Sequence, residues 1–189
     1  QAREWQRQGL ADLRVSVNLS VHQLRQGNLI GLVRQVLEET GLAPQYLELE
    51  LTESILMTEA AQSIAALNEI KRLGVTLSID DFGTGYSSLS YIKRLPVQRL
   101  KIDRSFIARV HEDERVQRLV RSQISVAANM QADLIAEGVE VNEQADWLKG
   151  AGCDLQQGFL YSHPIETTEL AAYVDSRTAV GADQGANRN

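Results

Sequence analysis

The feature that most restricts the fold is an alternation between short apolar runs and longer stretches with helical periodicity. Six runs rich in Val, Ile and Leu are predicted to be strands: Leu13–Leu19, Tyr46–Leu51, Thr76–Ile79, Arg99–Ile102, Asp133–Ala136 and Cys153–Leu160. The stretches between and after them are predicted to be helices: Asn28–Thr40, Thr58–Leu73, Glu114–Met130, Asn142–Ala151 and Thr167–Val174. Repeated strand–helix units predict an α/β fold built on a parallel sheet.

Two architectures fit this pattern, a doubly wound open sheet and a (β/α)8 barrel. The chain has 189 residues and six recognisable units, whereas a barrel needs eight units and about 250 residues. If the fold is a barrel, about two units are missing from its front. Gly41, Gly74 and Gly152 each follow a helix, where a left-handed C-cap residue belongs. Asn142 is the candidate N-cap of the helix that it begins.

Charge and cysteine content exclude several classes of protein. The 19 basic and 25 acidic residues give a net charge of −6, so the chain lacks the broad positive field of a non-specific DNA or RNA binder. The single cysteine, Cys153, rules out an intrachain disulfide framework and fits a cytoplasmic location; we interpret it as a buried packing residue. No apolar run approaches the roughly 18 residues of a membrane-spanning helix, so we expect no membrane contact by this segment.

Polar residues near the ends of the predicted strands are the candidates for chemistry. They are Asn18, Glu50, Asp80, Asp81, Lys101, Glu137 and Gln157. In a parallel barrel the carboxyl ends of the strands meet at one mouth, so these residues would share a site. Converging carboxylates repel one another, and divalent cations bound by oxygen ligands resolve that conflict. Adjacent carboxylates such as Asp80 and Asp81 can bridge two ions, as in-line phosphoryl displacement requires.

Each of these features also has a purely structural interpretation. A single acid at a strand end is more often a helix N-cap or a surface ion-pair partner, and the two glycines of residues 82–85 could mark only a tight turn. Six strand ends that all carry such residues favour a functional site. There, Lys101 could orient or help deprotonate an attacking water, or stabilise a phosphoryl oxygen.

Six motifs, in order along the chain, resemble those of the EAL-domain family of bacterial cyclic di-GMP phosphodiesterases. They are Val17–Ser20, Glu50–Ser54, Asp80–Leu89, Lys101–Phe106, Ala136–Glu140 and Gln157–Gly158, and the resemblance covers roughly Trp5 to Val174. It implies a modified (β/α)8 TIM-like barrel with two Mg²⁺ or Mn²⁺ ions at its mouth. It also implies hydrolysis of cyclic di-GMP to linear pGpG by a water that the two metals activate.

The resemblance implies a set of metal ligands. Asn18, Glu50 and Asp80 look like ligands of one metal. Asp80, Asp81 and Glu137 look like ligands of the second, and Glu137 is also a catalytic candidate.

The resemblance also implies roles in catalysis and assembly. Lys101 looks like the residue that holds or activates the nucleophilic water, and Glu140 and Gln157 look like support for the site or for substrate binding. Glu53 looks like the anchor of the loop Phe82–Ser88, which in the family helps to organise the second metal and the dimer interface. We therefore expect a homodimer formed through this loop region.

The chain departs from the family pattern because it has no Glu-Ala-Leu tripeptide. In the family that motif lies upstream, so we expect residues 1–178 to form an N-terminally truncated barrel and residues 179–189 a disordered polar tail. We expect this truncated chain alone to bind Mg²⁺ or Mn²⁺ weakly and to have little activity. Two other functions stay open, a cyclic di-GMP receptor that does not cut its ligand and a dimerisation module. The intact motifs favour an active parent enzyme.

Overall fold

The strand order identifies the architecture. The computed structural model describes residues 1–10, 13–25, 28–53, 60–85 and 92–185. In these ranges six parallel strands form one sheet in sequence order: β1 Val15–Asn18, β2 Leu47–Thr52, β3 Thr76–Phe82, β4 Arg99–Ile102, β5 Asp133–Glu137 and β6 Leu155–Gln157. A doubly wound sheet reverses its strand order, whereas a barrel keeps successive strands adjacent. The predicted barrel-type α/β fold is confirmed as a curled half-barrel.

Helices connect the strands and cover one face of the sheet. They are α1 Ala2–Arg7, α2 Val21–Arg25, α3 Leu29–Thr40, α4 Ala60–Arg72, α5 Arg104–Ile107, α6 Glu114–Met130, α7 Asn142–Gly150 and α8 Leu170–Gly185. The short helices α1, α2 and α5 were not predicted, since so few turns give little apolar periodicity. The predicted C-cap role of Gly41 is confirmed by its left-handed φ of 65° at the end of α3.

Alternation along the strands separates an apolar face from a polar one. Leu49, Leu51, Leu77, Ile79 and Leu100 are buried in one core together with side chains of α3 and α4. The intervening positions share the opposite face: Glu48, Glu50, Ser78, Asp80, Arg99 and Lys101. In a half-barrel this is the inner face, and its charges distinguish it from the layered apolar interior usual in such barrels.

Two predictions about helix ends are wrong. Asn142 is the first residue of α7 and not its N-cap, which is Val141. The side chain of Gln144 fulfils the capping role, because its Oε1 accepts the N–H groups of Glu140 and Val141 at 2.7 and 3.1 Å. The last helix, α8, ends at Gly185 and not at Val174 as predicted. Adding residues to an existing helix avoids the cost of nucleation; residues 186–189 lie outside the described ranges.

Among the described helices, none combines the length and the apolar character that a membrane crossing requires.

Candidate active site

The inner face of the sheet brings one lysine and three carboxylates together. Lys101 Nζ on β4 lies 2.6 Å from Glu137 Oε1 on β5 and 2.9 Å from Glu50 Oε1 on β2. Asp80 Oδ1 on β3 lies 3.8 Å from the same nitrogen. Glu50 and Lys101 are each only 7% exposed. Four neighbouring strands therefore contribute to one cluster, as expected for strand ends that meet at the mouth of a barrel.

Burial and charge together set the protonation of this cluster. Burial by itself lowers the pKa of Lys101, but the hydrogen bonds and charges of Glu137 and Glu50 outweigh it, so the pKa lies above its ordinary value. Burial also raises the pKa of Glu137; the charges of Asp80 and Glu50 add to this increase and Lys101 opposes it. Lys101 is therefore a cation at neutral pH and offsets part of the surrounding negative charge.

Two adjacent aspartates lie near the end of β3, and the second has an unusual backbone conformation. Asp81 has a φ of 55°, and its N–H group donates to Asp80 Oδ1 at 3.0 Å. Thr84 closes the following turn, since its N–H and its hydroxyl donate to the Asp81 carbonyl at 3.2 and 2.8 Å. Burial raises the pKa of Asp81, and repulsion from Asp80 and Asp103 raises it further. Several carboxylates therefore lie close together here, and a bound cation would stabilise them.

Glu53 holds the glycine-rich segment that follows Asp81. Its carboxylate is almost fully buried and accepts the N–H groups of Gly83 at 2.9 Å and Gly85 at 3.2 Å. This is the contact expected of an anchor for the loop. Residues 86–88 of that loop, which contain part of the predicted dimer region, lie outside the described residues.

A cavity of about 360 Å³ shares Glu137 with the cluster. The other predicted site residues along its wall are Asp81, Glu140 and Gln157. Asp103, Arg104 and Phe159 also line it, although the sequence analysis gave them no role. Their positions in the sequence could have indicated a place in the site, because Asp103 and Arg104 directly follow β4 and Phe159 follows β6 by two residues. Arg104 adds a guanidinium group to a wall that is otherwise rich in carboxylates.

Asn18 lies at the same level of the sheet but on its edge strand. It ends β1 in register with Glu50 on β2, and it is exposed. The register supports its assignment to the mouth of the barrel, next to the buried part of the cluster.

A second ion-pair layer lies beneath the first and was missed by the sequence analysis. Arg99 Nη1 is 2.5 Å from Glu48 Oε2, and Arg99 Nε is 3.3 Å from Asp133 Oδ2. Glu48 is 2% exposed. The sequence did hold an indication of this layer. Glu48 is two residues from Glu50, and Arg99 is two residues from Lys101, so each pair lies on one face of its strand.

The chemistry of these side chains suits a hard divalent cation. Carboxylate and amide oxygens are the ligands that Mg²⁺ and Mn²⁺ prefer. Among the described residues, however, no three His, Cys, Asp or Glu side chains are arranged to hold an ion together. The cation that Glu50, Asp80 and Glu137 contact is the ammonium group of Lys101. These oxygen donors are of the type that binds a metal ion. The ammonium group of Lys101 already neutralises part of their negative charge.

Comparison with known proteins decides the family. The family model for the EAL domain matches residues 1–164. This chain belongs to the EAL domain family. The match includes every predicted site residue of the EAL chain, from Asn18 to Gln157.

Individual relatives agree with this membership. The EAL chain is 43% identical over 162 residues to the cyclic di-GMP phosphodiesterase NbdA of Pseudomonas aeruginosa, a match that covers 86% of this chain and 21% of NbdA. The solved structure of the PaMucR phosphodiesterase in complex with c-di-GMP has a TM-score of 0.85 and 41% identity, over 89% of this chain and 68% of that chain. BlrP1 of Klebsiella pneumoniae, in a complex with manganese and cyclic di-GMP, has a TM-score of 0.78 and 32% identity, over 86% of this chain and 42% of that one. The EAL chain spans about a fifth to a quarter of the length of the curated relatives that it matches.

Proposed function

We propose that this EAL domain hydrolyses one phosphodiester bond of cyclic di-GMP to give linear pGpG. The observation that supports this most is the convergence of Glu50, Asp80, Glu137 and Lys101 beside a cavity at the carboxyl ends of the strands. A cyclic dinucleotide carries two phosphate charges. A chain with a net charge of −6 and a mouth rich in carboxylates needs local cations to bind such a ligand. The proposed substrate and the proposed metals therefore depend on each other.

The proposal assigns the metal ions to Mg²⁺ or Mn²⁺. The residues that would hold them are Asn18, Glu50, Asp80, Asp81 and Glu137. When bound, such ions neutralise phosphoryl oxygens and lower the pKa of a bound water. The manganese in the related BlrP1 complex supports this assignment.

Lys101 acts as a cation and not as a base in this proposal. Its pKa is raised by Glu137 and Glu50, so it is protonated at neutral pH and can only donate hydrogen bonds. It can therefore orient the attacking water or stabilise a phosphoryl oxygen. Glu137 is the candidate to accept a proton from that water, since its carboxylate lies 2.6 Å from Lys101 Nζ and lines the cavity.

The remaining assignments concern binding and assembly. Glu140 and Gln157 line the cavity and are proposed to support the site or contact the substrate. We also propose that the domain works in the cytoplasm as a homodimer that uses the loop region anchored by Glu53. Sedimentation of the intact protein with and without cyclic di-GMP would test the dimer.

A receptor that binds cyclic di-GMP without cutting it is the second candidate. The observation that favours it is the position of Lys101 Nζ among the carboxylates that would otherwise bind a metal. A lysine that stays there would allow ligand binding while it reduces the affinity for a catalytic ion.

One pair of measurements separates the two functions. The intact protein is incubated with cyclic di-GMP and Mg²⁺ or Mn²⁺, the products are separated by chromatography, and EDTA serves as the control. Binding is measured in parallel by calorimetry without divalent ions. Metal-dependent appearance of pGpG supports the enzyme. Tight binding without any pGpG at any metal concentration supports the receptor and contradicts hydrolysis.

A further inference from the structure

The backbone of Phe82–Gly85, just after Asp81, is held between two side chains from different elements. On one side, the Glu53 carboxylate accepts the N–H groups of Gly83 and Gly85. On the other, Gln123 Nε2 on α6 donates to the carbonyl of Phe82 at 3.4 Å. Glu53 was expected to contact this loop. Gln123 lies 41 residues away along the chain from Phe82, in a helix to which the sequence gave only a packing role.

The contact between Gln123 and this segment is close. Gly83 has a φ of 97°, and a Cβ atom added to it would lie 2.1 Å from Gln123 Nε2. Any larger residue at position 83 would have to displace the amide. Gly83 therefore permits an approach between the backbone of the loop and α6 that a side chain would prevent.

Packing alone does not account for an amide at this position. Gln123 is 9% exposed and lies on the buried face of α6, together with Val120 and Ala127. Its Oε1 atom is buried and has no hydrogen-bond partner among the described residues. An unpaired buried acceptor destabilises the folded state, and an apolar side chain of similar size would avoid that cost. The contact that uses the polarity of Gln123 is its hydrogen bond to Phe82.

We infer that Gln123 is a positioning residue that fixes the Phe82–Gly83 peptide and thereby aims the carboxylate of Asp81. Asp81 lies one residue before this peptide, separated from it by Phe82, and has a positive φ, which is sparsely populated for an aspartate. Because only Phe82 lies between them, the direction of the Asp81 side chain depends on how the Phe82–Gly83 peptide is held. The part of this inference that concerns metal binding rests on the proposed function, whereas the part that concerns the order of the loop does not.

The test replaces Gln123 with Leu in the intact protein. Gln123→Leu keeps the approximate volume and removes both the donor to Phe82 and the unpaired acceptor. We expect an unchanged or higher Tm, faster hydrogen exchange confined to peptides covering residues 82–85, and a Kd for Mn²⁺ at least about tenfold weaker, in the range seen when partners of metal ligands are removed. Ser125→Ala, on the exposed side of the same helix, is the matched control and should change none of the three.

A second variant keeps the test decisive if the Leu variant folds poorly. Gln123→Glu preserves the shape but replaces the donor with a carboxylate facing the Phe82 carbonyl, so it should also accelerate exchange in residues 82–85. Unchanged exchange there, or faster exchange along the whole of α6 with a lower Tm, overturns the positioning role. A wild-type protein that binds no Mn²⁺ refutes the proposed function, and the exchange result still decides the role of Gln123.

Discussion

Arg99 and Lys101 share one face of β4, and each lies among carboxylates from other strands. Lys101 contacts Glu50 and Glu137 at the mouth of the half-barrel, and Arg99 contacts Glu48 and Asp133 one layer below. Because the two residues are two positions apart on the strand, their side chains point to the same face but lie in different ion-pair layers. We expect the upper layer, around Lys101, to contribute to catalysis. We expect the lower layer, around Arg99, to contribute to the stability of the fold.

Replacing Lys101 should affect the chemical step. In the intact protein, we expect Lys101→Ala to lower kcat far more than it raises KM, because an interaction that matters in the transition state is lost. Removal of the ammonium also leaves Glu50 and Glu137 without their cation, so Tm must be measured alongside activity. Lys149→Ala, at an exposed position of α7, is the control. A change in KM alone would assign Lys101 to substrate binding.

Replacing Asp80 should abolish metal-dependent hydrolysis while folding is preserved. Asp80→Asn keeps the shape of the side chain but removes the charge that we propose as shared between two ions. We expect a loss of at least about a hundredfold in activity, with an Mg²⁺ affinity that falls in parallel. Asp133→Asn makes the same chemical change at the opposite end of a nearby strand and should leave hydrolysis unchanged. Wild-type activity in the Asp80 variant would refute the assignment.

We expect the lower ion-pair layer to contribute to the free energy of unfolding. Arg99→Ala leaves Glu48 charged and buried without its partner, so we expect the free energy of unfolding to fall by roughly 3 kcal/mol. Asp133→Ala removes the exposed partner of the same arginine and should cost less than about 1 kcal/mol. Urea unfolding of both variants measures the difference. Equal effects would mean that burial of Glu48 does not determine the strength of this pair.

Asp113 should give stability a dependence on acidic pH. Its side chain accepts the N–H group of Arg115 at 2.8 Å at the start of α6, and this hydrogen bond holds the pKa of Asp113 below its ordinary value of 3.8. A lowered pKa stabilises the fold fully above pH 3.8, and the contribution disappears as the pH falls through the lowered value. Asn caps helices without titrating. We expect the Tm difference between wild type and Asp113→Asn to be constant near neutral pH and to change below about pH 4. A difference independent of pH would contradict this.

Cys153 should resist thiol reagents in the folded protein. It is 1% exposed, and burial raises its pKa to about 11. At pH 8 only about one molecule in a thousand carries the reactive thiolate. We expect iodoacetamide to label Cys153 only after urea unfolding, as mass spectrometry would show. Rapid labelling of the native protein would show that this region opens.

The sequence predicted the architecture because the relevant signals are local. Alternation with a period of two residues, helical periodicity and glycine caps are properties of neighbouring residues, so the α/β class and the strand–helix units followed from them. The choice of a barrel over a doubly wound sheet came from the resemblance to the EAL-domain family. The same alternation placed Glu50, Asp80 and Lys101 at strand ends. The errors arose where local signals compete. Asn142 has the side chain of an N-cap, but Gln144 reaches back to cap α7. The last helix was predicted to end at Val174, but α8 extends to Gly185.

The sequence by itself determined which candidate residues lie near the strand ends and to which family the chain belongs. The tertiary structure decided which charges pair. Glu48 binds Arg99 and Glu50 binds Lys101, and each pair joins residues 51 positions apart. It also decided that the Gln123 amide on α6 reaches the carbonyl of Phe82, the residue next to Asp81. The physical reason is that the period of a strand fixes which way a side chain points, whereas the partner that it meets depends on strand register and helix packing, which bring distant segments together.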